Sequence, residues 1–178
     1  MDRTKQIKAM LEAIKSVESS GGKNIDHPVI DTGVNAGSRA VGQYALTPNT
    51  IREMLNRYPD LPYQDLKEKE NPDIEKAVLQ DRDTPPLIRR EPASMEDNVA
   101  SKMADYAINR QHGYMPAAIG SWNAGHNTDP EKMTDMLDKE QYLQDYVNKA
   151  MPVYEDKMKE GDEDDKPFPK LQDLLNYK

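Results

Sequence analysis

Apolar positions recur at steps of three and four along most of this chain, and prolines and glycines interrupt them. Ile7, Leu11, Ile14 and Glu18 share one face of a helix predicted over about residues 3–19, with Gly21 and Gly22 as its stop. The period is then lost over residues 23–46, where Pro28, Gly33, Gly37 and Gly42 alternate with β-branched residues and predict a loop or short β-hairpin. Thr47-Pro48 pairs a hydroxyl cap with a proline at the first helical position, and Ile51, Leu55 and Tyr58 continue that helix to Pro59. Asn71-Pro72 repeats the signal, with Ile74 and Val78 on one face and Pro85-Pro86 as the stop. Ser94 and Asp97 resemble a capping box opening a helix through Val99, Met103 and Tyr106 to Gly113. A short apolar helix from Pro116 to about Trp122 stops at Gly125, and Asp129-Pro130 starts another. Asp138 is the expected cap of a last long helix through Tyr142, Tyr146 and Met158. The expected fold is mainly α, with a short irregular or β-hairpin segment after the first helix.

Composition narrows this to one domain with a modest core. Leu, Ile, Val and Phe together fall below the roughly 20% at which high charge suggests disorder. Ten Met and nine Tyr help raise the apolar share to 36%, while mean hydropathy is −0.94. The domain is expected over residues 1–160. Beyond it, residues 161–178 form an acidic, proline-bearing tail whose Leu171, Leu174 and Leu175 predict a short helix. No apolar run approaches the ~20 residues that span a bilayer, so no membrane insertion is expected. A net charge of −8 argues against nucleic acid as a partner. The absence of cysteine excludes a thiol nucleophile and cysteine-rich zinc folds. His27, His112 and His126 lie too far apart for a helical ligand pair, so no metal and no cofactor is expected.

Glu18 is the residue that demands an account. It places a carboxylate on the apolar stripe of its own helix, where lost hydration disfavours the charged form and raises the pKa. That is the condition for a general acid near neutral pH. The alternative is a carboxylate at a fraying helix end, kept wet by the glycines behind it.

Three strings extend the first reading: VESSGGKN at 17–24, AVGQYALTPNT at 40–50 and AAIGSWNAGHN at 117–127. In that order, separated by helical segments, they resemble the soluble lytic transglycosylase family, relatives of goose-type lysozymes that cleave bacterial peptidoglycan. Glu18-Ser19 matches the family's Glu-Ser motif. Gly42, Pro48 and Thr50 match its second motif, from which Gln43, Tyr44 and Ala45 depart. Asn123, Ala124 and Gly125 match its third, with Trp122 where tyrosine is usual. The ESSGGKN version is most similar to short domains carried by bacteriophage particles.

The resemblance implies a lysozyme-like helical domain with Glu18 as catalytic acid/base. The expected reaction cleaves the MurNAc-GlcNAc β-1,4 bond and closes a 1,6-anhydro ring, with no second carboxylate required. Ser19, Gln43, Tyr44, Trp122, Asn123 and His126 are candidate substrate-binding residues. Tyr44 and Trp122 can offer aromatic faces to sugars or pack in the core; Ser19 can orient Glu18 or satisfy the helix end; His126 can bind sugar or sit at the surface. A hydrolase using Glu18 with Asp26 or Asp31 is the near alternative, and a non-catalytic virion or wall-binding protein with the same fold is another. The expected partners are peptidoglycan and other phage virion or tail proteins. No apolar N-terminal segment reads as a signal peptide, so the expected location is a virion that delivers the protein to the wall.

Overall fold

The computed structural model describes residues 2–160 except 34, 86 and 88–92, so the expected tail at 161–178 lies outside the described residues. Seven helices and one hairpin follow in the order α1 (Arg3–Glu18), β1 (Asp26–Val29), β2 (Arg39–Val41), α2 (Pro48–Arg57), α3 (Asn71–Asp83), α4 (Met95–Arg110), α5 (Met115–Ala124), α6 (Pro130–Lys139) and α7 (Gln141–Lys159). The protein is mainly helical with a short hairpin after the first helix. A single 3-10 turn, Gln64–Leu66, separates α2 from α3; three residues are too few to show a period.

Local cap chemistry explains most helix starts. The Thr47 hydroxyl accepts from Thr50 N, Ser94 from Asp97 N and Asp129 from Lys132 N. Asp138 does not cap the last helix. It lies inside α6, and α7 begins after Glu140, which makes no side-chain cap bond. Met133 of α6 and Leu143 of α7 pack together on Ala117 of α5, and α7 also runs along α1.

α5 is buried almost all round, with Met115, Ala117, Ala118, Ile119, Gly120, Ser121 and Trp122 all shielded from solvent. A helix apolar on every side belongs inside a core, and α1, α4, α6 and α7 surround this one. Met10, Ile14, Ile51, Met54, Leu55, Ile108 and Ile119 are fully enclosed in the main core. Burying each such side chain is worth about 1.5–3 kcal/mol of transfer free energy. The ion pair Arg3 Nε–Asp105 Oδ1, at 2.8 Å, ties the start of α1 to α4. In the hairpin Asp26 pairs with Val41 and Val29 with Arg39, antiparallel and with an irregularity between. No helix among the described residues is long and apolar enough to cross a membrane.

Candidate active site

The site is built where α1 stops. Glu18 is the last residue of α1, and the chain then doubles back through Ser20, Gly21 and Gly22 at φ of 52°, 75° and 83°. Three left-handed residues in succession require this kind of sequence, since only glycine adopts that region without cost. Ser19 secures the reversal: its hydroxyl donates to Lys15 O at 3.0 Å and accepts from Gly22 N at 2.8 Å. The helix therefore ends with the Glu18 carboxylate at the rim of a cleft.

That carboxylate is half-buried and accepts a hydrogen bond from the Tyr146 hydroxyl at 2.7 Å. Burial pushes its pKa above the usual carboxylate value, against the smaller lowering effects of the Tyr146 hydrogen bond and of His27. Tyr146 comes from α7 and is itself buried; burial and the adjacent Glu18 charge push its phenol pKa up, so it keeps the proton that it donates to Glu18. His27, on β1, donates from Nε2 to the Gly42 carbonyl at 2.9 Å, which joins the hairpin to the turn after β2.

The cleft holds about 560 Å³ and is lined by Glu18, the hairpin and flanking turns (Ile30, Asn35, Ala40, Ala45, Leu46), the start of α2 (Thr47, Asn49, Thr50, Glu53), Met103 of α4 and the end of α5 with its following turn (Trp122 to His126). Of the sequence-predicted residues it brings together Glu18, Trp122, Asn123 and His126. Trp122 is only 8% exposed: it packs in the core and also contributes to the cleft lining. Its Nε1 donates to Tyr44 O at 3.2 Å. Asn123 is exposed in the cleft wall.

Ser19, Gln43 and Tyr44 are not brought to the lining. Ser19 is the helix cap described above. Gln43 Nε2 and the Tyr44 hydroxyl both donate to Asp97 Oδ1, at 2.9 and 3.1 Å, and Tyr44 packs edge-on to Trp122 with centroids 6.4 Å apart. The polar tips that were candidates for sugar thus fasten the second motif to α4. Asp31 is exposed and outside the lining, and the side chain of Asp26 lies outside the described residues.

Three residues had no sequence signal. Tyr146 touches Glu18 across most of the chain. Glu96, 1% exposed, accepts from Tyr44 N at 2.9 Å while its Oε2 has no hydrogen-bond partner. Burial, opposed by backbone hydrogen bonds and reinforced by Asp97, pushes its pKa up to about 7. Gly42 makes room for it: at φ 76°, a Cβ there would stand 2.2 Å from Glu96 Oε1. Glu53 is a second carboxylate in the cleft, and its Oε2 lies 3.0 Å from His126 Nε2.

Among the described residues no group of three acidic or histidine side chains is placed to hold a metal ion. The arrangement brings a half-buried carboxyl of raised pKa, an aromatic side chain, an exposed amide and a second, ion-paired carboxylate around one cleft. No family model, curated protein or solved structure matches this chain.

Proposed function

We propose that this protein is a peptidoglycan lytic transglycosylase in which Glu18 is the catalytic acid/base. The observation that carries the reading is the Glu18 carboxylate: half-buried, raised in pKa by that burial, held by Tyr146 and open to a cleft large enough for a few sugar rings. The resemblance of its surroundings to the Glu-Ser and Asn-Ala-Gly motifs supports the same assignment. In the proposed reaction protonated Glu18 gives its proton to the glycosidic oxygen as the bond to the anomeric carbon breaks. The carboxylate then takes the proton of the MurNAc 6-hydroxyl as that oxygen bonds to the anomeric carbon. A nucleophile on the reacting ring has a far higher effective concentration than a diffusing alcohol. No water is consumed, and Glu18 ends protonated as it began.

A hydrolase is the second reading, because the same cleft holds an additional carboxylate, Glu53, although the donors around it make it a weak base. The similarity to phage-borne domains extends the proposal to a virion component used for local wall penetration, and mass spectrometry of purified particles tests that part. Activity itself is tested by clearing of purified peptidoglycan. The proposal expects wild type to clear it and Glu18→Gln to lose that activity. Equal clearing by both, or none by either, contradicts it.

A further inference from the structure

The Glu53 carboxylate is held by three partners. Oε1 accepts from Asn127 Nδ2 at 2.7 Å and from Arg57 Nη2 at 3.1 Å, and Oε2 pairs with His126 Nε2 at 3.0 Å. Arg57 and Asn127 are themselves fixed outside the cleft lining. The Arg57 guanidinium stacks 4.0 Å from the Tyr106 ring centroid, and Asn127 accepts from the Tyr106 hydroxyl at 3.1 Å. An ionised carboxylate offers about four acceptor positions, and three are engaged. The remaining one is on Oε2, the oxygen with a single partner, in a side chain 35% exposed that lines the cleft.

We propose that Glu53, oriented by His126, is a saccharide-binding subsite whose Oε2 accepts a hydrogen bond from a sugar hydroxyl or acetamido N–H. The subsite rests on the glycan reading of the cleft given above. It is a binding group rather than a second base. Burial raises the Glu53 pKa, but hydrogen bonds from Asn127 and Arg57 and the nearby His126 outweigh that and hold it below the usual value. A carboxylate so stabilised is a good permanent acceptor and a weak base.

The test is calorimetric titration of an N-acetylglucosamine tetramer into the Glu18→Gln protein, which binds without turnover. Adding Glu53→Gln should raise Kd about tenfold, the scale of one hydrogen bond to a charged group. Adding Tyr106→Phe instead, which removes one bond behind the cleft, should leave Kd nearly unchanged. Equal Kd with and without Glu53→Gln overturns the subsite. Equal weakening by Tyr106→Phe overturns it too, because the effect would then be placement of the turn. If Glu53→Gln does not fold, Glu53→Asp keeps the charge with a shorter reach: weaker binding supports the subsite and unchanged binding overturns it. With Glu18 intact, Glu53→Gln should raise KM and spare kcat; loss of kcat as complete as that of Glu18→Gln overturns it in favour of a reacting group. No binding of the tetramer by any form is a different result, and it contradicts the glycan reading itself.

Discussion

The Tyr146 hydroxyl donates to Glu18 Oε1 at 2.7 Å, joining residues 128 apart in sequence. This contact fixes the acid where α1 meets α7, and it lowers a pKa that burial has raised. Tyr146→Phe removes the donor and leaves the packing. Glu18 should then titrate higher, so the alkaline limb of the pH–rate profile should move to higher pH while kcat falls about tenfold. A pH–rate profile superimposable on wild type contradicts a working contact.

Glu18→Gln keeps size and polarity but cannot donate a proton. Turnover should fall by the ~10²–10⁴ of general acid–base catalysis, or more. Stability should move the other way. A carboxyl whose folded pKa is raised holds its proton where the unfolded chain has lost it. The native state is therefore progressively penalised as pH rises from the ordinary carboxylate value to the folded one. Gln carries no such penalty, so Glu18→Gln should match wild type in acid and melt at an equal or higher temperature at neutral pH. Melting curves across pH check this.

Asp31→Asn should leave wall cleavage close to wild type, since Asp31 is exposed and outside the cleft lining. Initial rates on purified peptidoglycan decide it. An Asp31→Asn protein as inactive as Glu18→Gln makes the hydrolase reading the better one.

Glu96 gives a separate pH signature. Its pKa of about 7 against an ordinary 4.5 means that the native state keeps a proton through that interval while the unfolded chain does not. Wild type should lose a few kcal/mol of stability between those values and nothing further from this group above them. Glu96→Gln should flatten that slope. Gly42→Ala should cost about 2 kcal/mol or more, combining left-handed strain with displacement of the buried carboxyl. Denaturant unfolding at several pH values measures both.

What was legible in the sequence was local. Thr47, Ser94 and Asp129 cap the helices they precede because a cap needs only the next three residues. Glu18 was legible because a carboxylate on an apolar stripe breaks the period that surrounds it, and Trp122, Asn123 and His126 stand together on one short segment. Tyr146, Glu53 and Glu96 were not, because their roles depend on which helices meet. Gln43 and Tyr44 show the same limit from the other side: a polar side chain beside a motif can serve sugar or protein equally well, and here Asp97, more than fifty residues later, takes both. Asp138 resembles a cap in sequence, but it lies inside α6, and the boundary falls two residues later at Glu140, which makes no side-chain cap bond.

The central claim is that Glu18 delivers the proton and the substrate's own 6-hydroxyl closes the bond. Mass analysis of muropeptides released from purified peptidoglycan tests it most directly. Wild type should release 1,6-anhydro ends, each fragment lighter by one water than a hydrolysis product, and Glu18→Gln should release none. Fragments with reducing ends, released by a protein that Glu18→Gln inactivates, contradict it and assign the chain to the hydrolases.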